Sequence, residues 1–197
     1  MRAFVERSSG AVARAATGRL TIACWLGTAL FFGLFSLADP TAAELERERD
    51  VRQGDFLDLR FHYTAQEARD TLDRYGADGR AIYRRFLLLD FAFAACYGLA
   101  LALTLSRAAR GAFGPQTGWI KVNVIPLAAA LADFAENLCL FRMLQVFPDT
   151  AVFAGTVGGW ITMSKQLFLA ASMLALLFFG LRRLGGRKSA ALSGTNG

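Results

Sequence analysis

One histidine, three cysteines and four prolines in 197 residues leave little material for the common metal and redox chemistries. His62 stands alone, so neither a bis-histidine haem nor a tetrahedral zinc site can be built around it, and a surface position is expected. Cys24, Cys96 and Cys139 lie far apart with no pair at metal or dithiol spacing, and are expected to be free, buried thiols. The chain has no phosphate-binding loop, dinucleotide fingerprint or nucleophile elbow. No catalytic residue, metal or cofactor is therefore assigned. Charge is missing altogether from residues 20–38.

What fills the chain instead is apolar: 54% of residues are hydrophobic, 17 of them Phe, and they come in long blocks rather than in the short stripes of a soluble core. A block of about 20 apolar residues spans the ~30 Å hydrocarbon layer as a helix, the form that satisfies its own backbone in lipid. Four blocks qualify: residues 20–38, 86–106, 122–147 and 151–181. The fold class is therefore all-α, a bundle of four transmembrane helices. The first block could also be read as a secretory signal, with Ser36-Leu37-Ala38 as a cleavage site. Its length suits an uncleaved anchor better.

Lys and Arg are retained on cytoplasmic flanks, which orients the spans. The N-terminal residues 1–19 carry Arg2, Arg7, Arg14 and Arg19; the linker 107–121 carries Arg107, Arg110 and Lys121; the tail 182–197 carries Arg182, Arg183, Arg187 and Lys188. The expectation is a multi-pass protein of the cell (inner) membrane with both ends cytoplasmic. The long linker 39–85 then lies outside, although it holds nine Arg against eleven Asp and Glu. The net charge of +6 is distributed as these flanks, not as a basic face interleaved with aromatics, which argues against nucleic acid and for anionic lipid headgroups.

The external linker carries helix signals, so one or two short amphipathic helices are expected over the bundle mouth. Residues 41–52 are helix-prone, with Glu48 and Arg52 at i, i+4. Thr64-x-x-Glu67 reads as a capping box, followed by Ala68, Leu72 and Tyr75 on one stripe and Gly76 as C-cap. These helices act as a lid or as a surface for a partner. Between spans, small residues allow close approach: Ala94, Gly98 and Ala102 in the second, Ala128 and Ala132 in the third, Gly155 and Gly159 in the fourth. The same pattern serves an internal seam or a homo-oligomer face. Pro126 is expected to kink the third span.

Ionisable groups inside the spans are the informative residues, since each costs at least ~2.5–3.5 kcal/mol at the bilayer centre unless it faces inward and finds a partner. Asp133, Glu136 and Asn137 stand at i, i+3 and i+4, on one helix face. Asp90 in the second span and Lys165 in the fourth can reach the same level, with Arg142 or Arg84 as further cations from the rim. Tyr83, Asp90 and Tyr97 recur every seven residues, and Thr162 lies one turn before Lys165. These eight residues, Tyr83, Asp90, Tyr97, Asp133, Glu136, Asn137, Thr162 and Lys165, are the candidates for a site binding a small ligand or ion. The alternative is a buried ion-pair network that holds the helices in register.

The stretches Tyr75-Gly76-Ala77-Asp78-Gly79-Arg80, Leu87-Leu88-Leu89-Asp90, Tyr97-Gly98-Leu99 and Leu131-Ala132-Asp133-Phe134-Ala135-Glu136-Asn137 resemble a group of small bacterial four-span membrane proteins without an assigned activity. That resemblance implies the architecture alone. Asp133-x-x-Glu136-Asn137 is also similar to the Asn-x-x-Glu-Asn stretch of the glutathione-using four-helix membrane enzymes of eicosanoid metabolism. Here Asp replaces the first Asn and the preceding Arg-Ala-His is missing, so the likeness implies no glutathione chemistry. Three function classes stay open: a non-enzymatic protein binding or moving a small solute, ion or lipid headgroup; an enzyme using the carboxylates on a lipophilic substrate; and an assembly partner acting through the external helices.

Overall fold

A computed structural model of the chain describes residues 2–37 and 56–193. The described residues form five helices and two 3₁₀ turns, with no strand among them: α1 (Arg2–Ala15), α2 (Gly18–Leu37), a turn at Leu57–Leu59, α3 (Ala65–Phe113), a turn at Gly118–Asn123, α4 (Val124–Val146) and α5 (Val152–Ser193). Four of these, α2 to α5, are long and apolar enough to cross a membrane, which is compatible with a multi-pass membrane protein. The helix-prone stretch 41–52 lies outside the described residues.

The capping box forms as its spacing requires. Glu67 N donates to Thr64 Oγ1 at 3.2 Å and Thr64 N donates to Glu67 Oε2 at 2.7 Å, fixing the start of α3. Gly76 interrupts this helix at φ 65°, a conformation glycine adopts without Cβ strain, so residues 65–75 form an amphipathic segment bent away from the spanning part. Its stripe of Ala68, Leu72 and Tyr75 is buried together with Leu57, Tyr63, Leu140, Met143 and Leu144. The segment is thus packed on the bundle.

Helices α3, α4 and α5 make the core, and α2 leans on α3. Only 6% of the first span is buried, so its apolar residues face outward, as a lipid-facing helix requires. The seam between α3 and α4 pairs Gly98 with Ala130, where a Cβ on the glycine would come within 2.6 Å of the alanine Cβ. Ala130, rather than Ala128 or Ala132, is the close partner. The glycines near the start of α5 face mainly the linker: Gly155 lies against Ala65, Gly159 against Tyr63, and Gly158 against Tyr63 and Cys139 of α4. The linker shares that groove with α4.

Two further expectations change, the kink at Pro126 and the burial of the thiols. Pro126 lies in the first turn of α4, where its missing N–H costs no intrahelical hydrogen bond, so the kink is not needed. Helix α5 continues past residue 181 to Ser193. The three thiols are free but only half-buried. At the end away from the linker, α1 docks on the 118–123 turn through the Lys121–Glu6 ion pair at 2.9 Å and a hydrogen bond from Asn123 Nδ2 to Ser9 O.

Candidate functional site

The face of α4 that carries Asp133, Glu136 and Asn137 turns into the bundle, and all three side chains are buried, Glu136 and Asn137 completely. Lys165 of α5 comes between the two acids: its Nζ is 2.6 Å from Glu136 Oε2 and 3.1 Å from Asp133 Oδ1. Such short contacts inside a low-dielectric bundle are what offset the desolvation of the charges. Thr162 donates to Glu136 Oε1, and Tyr97 donates to Asp133 Oδ2 at 2.8 Å. Asn137 Nδ2 donates to Asp90 Oδ2 at 2.8 Å, a second link between α3 and α4 beside the first. Five of the eight candidates, Tyr97, Asp133, Glu136, Thr162 and Lys165, are therefore linked by hydrogen bonds and ion pairs, and Asp90 and Asn137 form a separate pair.

Tyr83 is the eighth, and it lies apart from α4. Its hydroxyl donates to Asp58 Oδ1 at 2.8 Å, two turns of α3 above Asp90. Arg84 and Arg142 are exposed, and the ion pairs of the cluster are made by Lys165. The reason is geometric: both arginines lie on helix faces turned away from the interior, and the carboxylates hold Lys165, the one buried cation among the described residues.

Two residues of the site were not legible as such. The Leu57–Leu59 turn dips into the bundle far enough for Lys165 Nζ to donate to the Asp58 backbone oxygen at 3.2 Å. Tyr63 follows it and is fully buried, its hydroxyl over Gly158, where a Cβ would come within 2.6 Å. A signal existed in hindsight: Phe56, Leu57, Leu59, Phe61 and Tyr63 form an apolar run inside an otherwise charged linker, and Gly155, Gly158 and Gly159 clear a groove for it. Non-helical backbone at this depth is tolerable because protein surrounds it.

Asp58 brings the carboxylates to four, with Asp90, Asp133 and Glu136, around one ammonium. Burial pushes the Asp58 carboxyl above its ordinary range, and the opposing pull of Lys165 and the Tyr83 hydroxyl is weaker. The Tyr63 phenol is also raised, by burial first and by the Glu136 carboxylate second. Neither Asp58 nor Asp90 makes an ion pair among the described residues. Asp90 Oδ1 also lacks a hydrogen bond there, while its other oxygen holds Asn137.

Both of these carboxylates line a cavity of about 410 Å³ between α2, α3 and the linker turn. Its other walls are mostly rings: Phe32 and Phe35 from α2, Phe56 from the linker, and Tyr83, Phe86 and Phe93 from α3. The rings pack on each other, with Phe56 5.1 Å from Tyr83 and 5.5 Å from Phe86 between centroids, and Phe35 5.4 Å from Phe93. Phe32 is 65% exposed, so the cavity reaches the surface beside α2. Among the described residues no group of three His, Cys, Asp or Glu is arranged to hold a metal ion. No protein-family model, curated protein or solved structure matches the chain.

Proposed function

We propose that this is a non-enzymatic protein of the cell (inner) membrane, with both ends cytoplasmic, whose polar interior binds a small solute, ion or lipid headgroup and carries it into or across the bilayer. The observation that carries this reading is the charge imbalance around Lys165. Its ammonium is engaged by Asp133 and Glu136, while Asp58 and Asp90 face a cavity with no cation of their own among the described residues. A network whose role was only to hold helices together would be expected to balance its charges, because each uncompensated buried charge destabilises the fold. The fully buried Asn137, with its Oδ1 making no hydrogen bond among the described residues, adds a second unsatisfied polar group beside Asp90.

An assembly role through the external segment has less support, since the apolar stripe of residues 65–75 is already covered by the bundle. Membrane lipids are the expected surroundings, and a homo-oligomer or membrane-protein partner remains compatible with the apolar outer faces. Native mass spectrometry of the purified protein tests the reading. A co-purifying small molecule that disappears in Glu136→Gln, with the fold retained, supports it. A protein partner with no small ligand, together with Asp133→Asn and Glu136→Gln that alter stability alone, overturns it.

A further inference from the structure

We infer that the ligand of this interior is a lipophilic organic cation, an ammonium or similar monocation on an apolar body, seated in the cavity between α2 and α3 with Asp58 and Asp90 as its counter-charges. The inference rests on the ligand-binding reading above and names the chemical class.

Each feature of the cavity excludes a competitor. Among the described residues an anion would meet two carboxylates and no cation, since Lys165 is turned to Asp133 and Glu136. A neutral apolar molecule would leave Asp58 and Asp90 facing hydrocarbon, which is costly for a charged or even an unpaired polar group. A metal ion needs about six to eight oxygen ligands, or three or more ordered donors, and the walls offer two carboxylates among phenyl rings. Six rings with their faces and edges around the space provide what an organic cation uses. The negative ring face attracts the positive charge, and the ring area covers the apolar body. A volume of about 410 Å³ falls within the ~300–1,000 Å³ of small-molecule sites.

The two carboxylates are also held in place for this role. Tyr83 fixes Asp58 from one side and Asn137 fixes Asp90 from another, each engaging one oxygen. Asp90 Oδ1 is left without a hydrogen bond among the described residues. Pre-positioned acceptors lose less freedom on binding, which favours affinity. Phe32 of α2 and Leu59 of the linker turn, both exposed, lie along the cavity wall.

The test is binding of tetraphenylphosphonium to the purified full-length protein in non-ionic detergent, with tetraphenylborate, of the same shape and opposite charge, as the control. Saturable binding of the cation alone is expected. Asp90→Asn and Asp58→Asn should each weaken it at least tenfold, and Phe86→Leu about two- to fivefold through the lost cation–ring attraction. Should Asp58→Asn fail to fold, Asp90→Asn and Phe86→Leu, checked by circular dichroism, carry the test. Equal binding of both ions, or cation binding unchanged in Asp90→Asn and Phe86→Leu, overturns the inference. A neutral or anionic molecule co-purifying in native mass spectrometry also overturns it while leaving the ligand-binding reading intact. No binding of any small molecule removes both.

Discussion

Among the described residues, Lys165 is the only one that forms ion pairs with both acids of α4, so its removal strips the compensation from two buried charges at once. Lys165→Met should lower stability by about 3–5 kcal/mol, the usual cost of leaving a buried ion pair half-made. Adding Glu136→Gln should recover part of that loss, because the second change removes one orphaned charge. Thermal denaturation in detergent of the single and double variants checks the non-additivity. Asp58 makes a pH-dependent contribution of definite sign. Burial holds its carboxyl above the ordinary 3.8, so the folded state binds its proton more tightly than the unfolded chain does. Stability from this group is complete below 3.8 and falls as pH rises from there through the raised value. Asp58→Asn should flatten that part of the melting-temperature profile against pH; an unchanged slope would mean the group is not the source.

At the scale of elements, the linker turn and α5 depend on each other. A Cβ at Gly159 would overlap the Tyr63 carbonyl oxygen, and backbone cannot swing aside as a flexible side chain can. Gly159→Ala should therefore displace the Leu57–Tyr63 segment and cost about 1–3 kcal/mol, the range for overpacking. Gly180→Ala, on an exposed stretch of the same helix with nothing within 4 Å, should be neutral or slightly stabilising. The pair of melting temperatures separates a steric cause from a general effect of adding Ala to α5. The glycine spacing was visible in the sequence as a packing seam, yet its partner was not. A small-residue stripe announces close approach, and any backbone that arrives can use it.

For the whole molecule, the orientation expected from the basic flanks can be checked directly. In a background where Cys24, Cys96 and Cys139 are Ser, a cysteine at the exposed Asp78 should react with a membrane-impermeant maleimide in intact cells. One at the exposed Gln116 should react only after lysis. The opposite pattern would invert the topology. Span number, helical class and the capped start of α3 were legible because each depends on local composition: run length sets a span, and Thr64, Glu67 and Gly76 act on backbone within a few residues. The convergence of Asp90, Asp133, Glu136 and Lys165 was also within reach, since charges in apolar helices have to turn inward. Which acid binds the lysine, and which two line the cavity, depended on packing between segments far apart in the chain. The descent of Asp58 and Tyr63 into the bundle was beyond local reading for the same reason. Their places are set by a groove in α5 about a hundred residues later, and no pattern within the linker encodes the shape of that groove.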